Sequence, residues 1–103
     1  MSKVEVSVID GKVTVDRENL SMVGKGRNAR IHWKLTTPGW SFPADGIVID
    51  DNEGEFTKLE PAEQGKKFWC VDRNSDGKAY KYTINVSDGK TRLTLDPVIQ
   101  NEA

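Results

Sequence analysis

A chain of 103 residues, 36% apolar and 30% charged with a net charge of −1, fits one domain that can bury its own core. That near-neutral balance excludes the strongly basic footprint of most nucleic-acid binders and offers no pull toward anionic membranes. No stretch approaches the roughly 20 apolar residues of a membrane helix, and the single cysteine, Cys70, rules out an internal disulfide.

In chain order, the period is two almost everywhere. "KVEVSVIDGKVTV" sets Val4, Val6 and Val8 against Glu5 and Ser7, meets Asp10-Gly11, and resumes at Val13 and Val15. Asp-Gly between alternating segments predicts a hairpin, because a type I′ turn needs positive φ at both central residues. Arg17–Gly24 is the only plausible helix, although it lacks an apolar stripe. "ARIHWKLT" puts Ala29, Ile31, Trp33 and Leu35 on one face and Arg30, His32, Lys34 and Thr36 on the other, the pattern of a strand with one buried side. "TTPGWSFPADG" is a loop, "GIVID" a short buried strand, "DNEGE" an acidic turn and "FTKL" a further strand. "EPAEQG" reads as a turn or single helical turn ending at Gly65.

"KKFWCVD" is apolar on both faces and therefore belongs inside a sheet, with Trp69 and Trp33 both expected in the core. "AYKYTINV" points Tyr80, Tyr82, Ile84 and Val86 inward and Lys81, Thr83 and Asn85 outward. Asp88-Gly89 turns the chain into "TRLTL", Asp96-Pro97 stops it, and "VIQNEA" reads as a frayed tail or edge addition. Seven to eight strands with turns at this spacing predict an all-β, antiparallel β-sandwich over residues 1–103 as a single domain.

Two stretches resemble immunoglobulin-like domains. "DGKAYKYTINV" resembles the immunoglobulin strand-F signature, with Asp76 four residues before a corner Tyr80, and Tyr82 where that family carries a cysteine. "LEPAEQGKKF" is similar to the Leu-x-Pro lead-in to strand F of fibronectin type III domains, through Leu59 and Pro61. The two alignments name different strands as F. The resemblance implies an immunoglobulin-like sandwich and leaves function open.

"VDRNSDGKAY" opens like a calcium loop, with Asp72, Asn74 and Asp76 ahead of Gly77. An EF-hand is excluded: its twelfth position falls on Thr83, which cannot replace a bidentate glutamate, and a strand follows where a helix is required. A different calcium site remains open if Asp50 and Asn52 of the "IDDNEGE" loop converge with Asp72, Asn74 and Asp76; the alternative is an ordinary hairpin turn, which favours the same residue types. No other cofactor is indicated.

Catalytic patterns are weak. His32 is the only histidine, which excludes multi-histidine metal sites, and a Cys70–His32 pair would lie within strands that present a nucleophile poorly. "GKGRNAR" lacks the spacing of a phosphate loop, and no G-x-S-x-G elbow occurs. The expectation is a non-catalytic binding or interaction module, not an enzyme. Trp40 and Phe42 in the Pro/Gly loop are the expected anchors for a protein or glycan partner, and an unpaired edge strand is the route to a homo-oligomer. Alternatives are a calcium-dependent structural or adhesion domain and a carbohydrate-binding module centred on Trp40. Neither nucleic acid nor membrane is an expected partner. The first ten residues lack the apolar core of a secretion leader, so a cytoplasmic location is expected, although a secreted chain trimmed of its leader reads identically.

Overall fold

The alternating segments become strands. The computed structural model describes residues 2–102, and these form β1 (Ser2–Ile9), β2 (Lys12–Val15), β3 (Asn19–Ser21), β4 (Ala29–Leu35), β5 (Ile47–Ile49), β6 (Phe56–Ala62), β7 (Lys67–Asp72), β8 (Ala79–Ser87), β9 (Arg92–Leu95) and β10 (Val98–Gln100). A single 3₁₀ turn at Glu63–Gly65 is the helical exception. No helix among the described residues is long and apolar enough to cross a membrane. At the β1–β2 turn, Asp10 and Gly11 take φ of 52° and 73°, as a type I′ hairpin demands.

Two sheets result. The first has the order β2-β1-β4-β7-β6 and the second β3-β10-β8-β5, with β9 on the β10 side of the long strand β8. Both are mixed. β1 runs parallel to β4 (Val4 beside Trp33) and β10 runs parallel to β3 (Ile99 beside Leu20), so the expectation of purely antiparallel pairing is corrected. Alternation is identical in parallel and antiparallel strands, and the crossovers that separate them lie in tertiary structure.

Two further corrections concern short segments. The expected helix at Arg17–Gly24 contains β3 instead. An eight-residue helix without an apolar stripe has no face to bury. As a strand, Leu20 enters the core, and the flanking backbone pairs with the chain end: Val98 N donates to Glu18 O at 2.8 Å and Met22 N to Gln100 O at 2.8 Å. The tail is not frayed either, since β10 lies between β3 and β8 with Ile99 buried. These short strands bring the count among described residues to ten rather than seven or eight.

One core lies between the sheets. Val4, Val6, Ile31, Trp33, Phe56, Phe68 and Cys70 enter it from the first; Leu20, Ile47, Ile49, Tyr80, Tyr82, Ile84, Val86 and Ile99 enter from the second. Trp33 Nε1 donates to Tyr82 Oη at 3.1 Å, so the two largest buried side chains satisfy their polar ends on each other. Phe56 meets Tyr80 edge-on with centroids 5.0 Å apart. Such pairs add about 1 kcal/mol each beyond the burial of their area.

Candidate functional site

Phe42 is the first expected site residue to be corrected. It is 4% exposed and packs edge-on against Phe68 with centroids 5.8 Å apart. Its amide donates to Gly65 O at 2.7 Å, and a methyl group at Gly46 would come within 2.8 Å of its Cβ. Phe42 is thus the core plug of its loop and is not presented to a partner. Trp40 is half-buried and leans on the core, while Lys66 Nζ donates to its carbonyl at 2.6 Å.

The two acidic loops do share one end of the molecule: Arg73 N donates to Glu55 O at 2.8 Å, and Ser75 N to Glu55 Oε2 at 2.8 Å. The expected ligands nevertheless do not converge. Asn74 is buried, and its Nδ2 donates to Met22 O at 2.8 Å and to Gly26 O at 2.9 Å, while its Oδ1 accepts from Glu102 N at 2.7 Å. Its amide is fully used in tying three chain segments together. Asn52 closes its own turn through Phe56 N and O, and Asp50 is exposed. Among the described residues, no three His, Cys, Asp or Glu side chains are arranged as ready metal ligands.

Asp72 and Asp76 instead meet Glu55, from the other acidic loop, and Asn101, which the sequence did not single out. Asn101 Nδ2 donates to Glu55 Oε2 at 3.1 Å and to Asp76 Oδ1 at 3.2 Å. Asp76 also accepts from Lys78 N at 3.0 Å and from the Tyr80 hydroxyl. Asp72 is fully buried. Its Oδ1 accepts from Asn74 N at 2.8 Å, and its Oδ2 has no partner. Burial pushes its carboxyl up to about 6, outweighing the hydrogen bond from Asn74 N, and the charges of Glu55 and Asp76 push the same way. For Asp76, burial works upward, but the hydrogen bonds from Tyr80, Lys78 and Asn101 win and lower it.

The outer face of the first sheet carries a different chemistry. Trp69, expected in the core, points outward from β7 and is half-buried there, because Phe68 and Cys70 take the inward parity. The Arg30 guanidinium sits over its ring, 4.9 Å from the centroid, and the His32 ring lies 6.4 Å away. The register sets Lys3, His32, Trp69 and Glu60 in one row across the sheet, with Glu5, Lys34, Lys67 and Ala62 in the next row on that face. Lys81 belongs to the second sheet and does not join them. Lys67 pairs with Glu63 at 2.8 Å and Lys3 with Glu5 at 3.5 Å, whereas Arg30 and Lys34 have no ion pair among the described residues. Burial, then the charges of Arg30 and Lys67, lowers the pKa of His32, so its imidazole is neutral at neutral pH. A groove of about 380 Å³ bordered by Lys34, Leu35, Glu63, Lys66 and Lys67 closes one end of the face.

His32 faces out, while Cys70 pairs with inward Ile31, so the sheet itself separates the conceivable Cys–His pair. Burial raises the Cys70 thiol far above its usual range. What the outer face offers is a cationic surface around an aromatic ring. No family model matches the chain, and a search of curated proteins finds no match.

Proposed function

We propose that the protein is a non-catalytic binding module that holds an acidic, extended segment of a protein partner along the outer face of its first sheet. The observation that carries this reading is Arg30 stacked on Trp69. The ring holds the guanidinium in place while its N–H fork stays open, which is a pre-organised receptor for a carboxylate. Arg30, His32 and Lys34 alternate along β4, about 6.7 Å per two residues, the repeat of side chains on one face of an extended peptide. Glu5, Glu60 and Glu63 border the face, so the cationic strip is short and narrow. A long uniform polyanion would run onto those carboxylates; a few acidic side chains would not. The face-to-face sheets, and the Tyr80 hydroxyl bonded to Asp76 four residues earlier, support the immunoglobulin-like reading of the scaffold.

The test is titration of an acidic dodecapeptide with alternating Glu residues, followed by anisotropy at low salt. Binding is expected to weaken at least tenfold between 50 and 200 mM salt, and to be lost in Arg30→Glu and Trp69→Ala. Trp40→Ala should leave it intact. Tighter binding of a sulfated oligosaccharide or an oligonucleotide than of the peptide, or equal peptide binding by Arg30→Glu, overturns the assignment.

A further inference from the structure

The middle member of the cationic strip is the one that can change its charge near neutral pH. His32 stands between Arg30 and Lys34 on the outer side of β4, about 6.7 Å from each by strand geometry. Lys3 is its cross-strand neighbour on β1 and Trp69 on β7, with Glu60 beyond Trp69 on β6. Glu5 and Lys67 stand in the next row, and each has an ion-pair partner, Glu5 in Lys3 and Lys67 in Glu63. Burial disfavours a charged ring at His32, and the charges of Arg30 and then Lys67 act in the same direction. Its Nε2 is covered and has no hydrogen-bond partner among the described residues. An imidazolium in the free protein therefore meets like charges and finds no acceptor at that atom.

We propose that protonation of His32 controls the strength of this face, so that an acidic segment docks more tightly as the pH falls below neutral. This control presupposes that the face docks such a segment. An extended chain repeats its side chains at the spacing of Arg30, His32 and Lys34, so a segment held by Arg30 and Lys34 sets a carboxylate near the ring between them. That carboxylate brings the counter-charge the free face lacks, and the imidazole takes up a proton from solvent as the segment docks. Docking and protonation then strengthen each other by the same factor. Affinity rises as pH falls through the ring's value in the complex and levels off below its value in the free protein. Arg30 and Lys34 fix where the segment lies; His32 decides how firmly it is held. Asp72 also titrates in this range, but it points inward from the last position of β7 and is not on the face.

The experiment follows the proton directly. His32 is the only histidine, so its ring signals are unambiguous in a nuclear magnetic resonance titration of the intact chain. In the free protein the midpoint should lie below the ordinary 6.5. Saturation with the Glu-containing dodecapeptide should raise it by at least about 0.5 pH unit. Anisotropy at fixed low salt should show binding about twofold tighter or more at pH 5.5 than at pH 8, a span over which the peptide's glutamates stay largely ionised. His32→Gln should lose that difference, although Asp72 still titrates in it. His32→Arg, whose charge is fixed, should bind about twofold more tightly or more than wild type at pH 8. Melts of both variants show whether they fold; if the glutamine variant does not, the wild-type resonance titration decides alone. Equal pH dependence in wild type and His32→Gln, or a His32 midpoint that the peptide does not move, overturns the control by His32 and leaves the docking face standing. Absence of peptide binding at both pH values overturns the two together.

Discussion

A carboxyl group sealed from water holds its proton more tightly than it does in the unfolded chain, and Asp72 is such a group. Its folded value of about 6 stands above the ordinary 3.8. Between those values the folded state binds more protons than the unfolded one, so stability falls as pH rises through this window and levels off above it. The contribution amounts to about 2–3 kcal/mol over the window. Asp72→Asn keeps the acceptor for Asn74 N and removes the titration. The stability difference between wild type and Asp72→Asn, from urea midpoints at pH 4 and pH 7, should therefore grow in the variant's favour with pH; a constant difference contradicts the burial argument. Asn74 acts the other way. Its amide holds Met22, Gly26 and Glu102, and it sits at φ 55°, a region asparagine tolerates better than alanine. Asn74→Ala should cost about 3 kcal/mol or more by urea denaturation.

At the scale of elements, β8 is the part of the fold the sequence described best. Its inward Tyr80, Tyr82, Ile84 and Val86 alternate with residues that see water at most positions, and solvent on one face is what makes a period of two visible. Asn85 departs from the pattern: it is buried because its Nδ2 reaches Asp45 O at 2.7 Å. In β7 both parities are apolar, so nothing local says whether Trp69 or Phe68 faces in, and the candidate binding face stayed hidden behind that ambiguity. Phe42 was equally illegible, since a Pro/Gly loop signals a turn but not what its side chains touch. Glu55 and Asn101 lie 46 residues apart and meet only through the folded sheets. Where two elements depend on one contact, the dependence is measurable. Tyr82→Phe leaves the indole N–H of Trp33 buried without its acceptor and should cost about 1–2 kcal/mol with an unchanged urea m-value. On β6, Lys58 takes φ 58° where the register slips between Thr57 and Glu60, a bulge that roughens the sheet edge. Lys58→Gly removes left-handed strain at that point and should raise stability by about 0.5–1 kcal/mol in the same assay.

Across the whole molecule, the proposed binding face and the core lie on opposite sides of the first sheet. Its inner side carries the core, and its outer side carries Arg30, Lys34, Lys67 and Trp69. Charge changes on the outer side should alter association while leaving the melt within a few degrees, because exposed ion pairs contribute little. The pairing of β1 with β4 and of β10 with β3 joins segments far apart in sequence, a topology that folds slowly.

That second pairing bears on how the chain is made. During synthesis β10 leaves the ribosome after the nine other strands of the described residues, yet it belongs in the middle of its sheet. Until it arrives, β3 has no neighbour, and the β8 backbone at Lys81 and Tyr80 waits without its mate. A nascent polypeptide halted at Pro97 should stay open to protease at β3 and β8, and emergence of residues 98–102 should close both in one step.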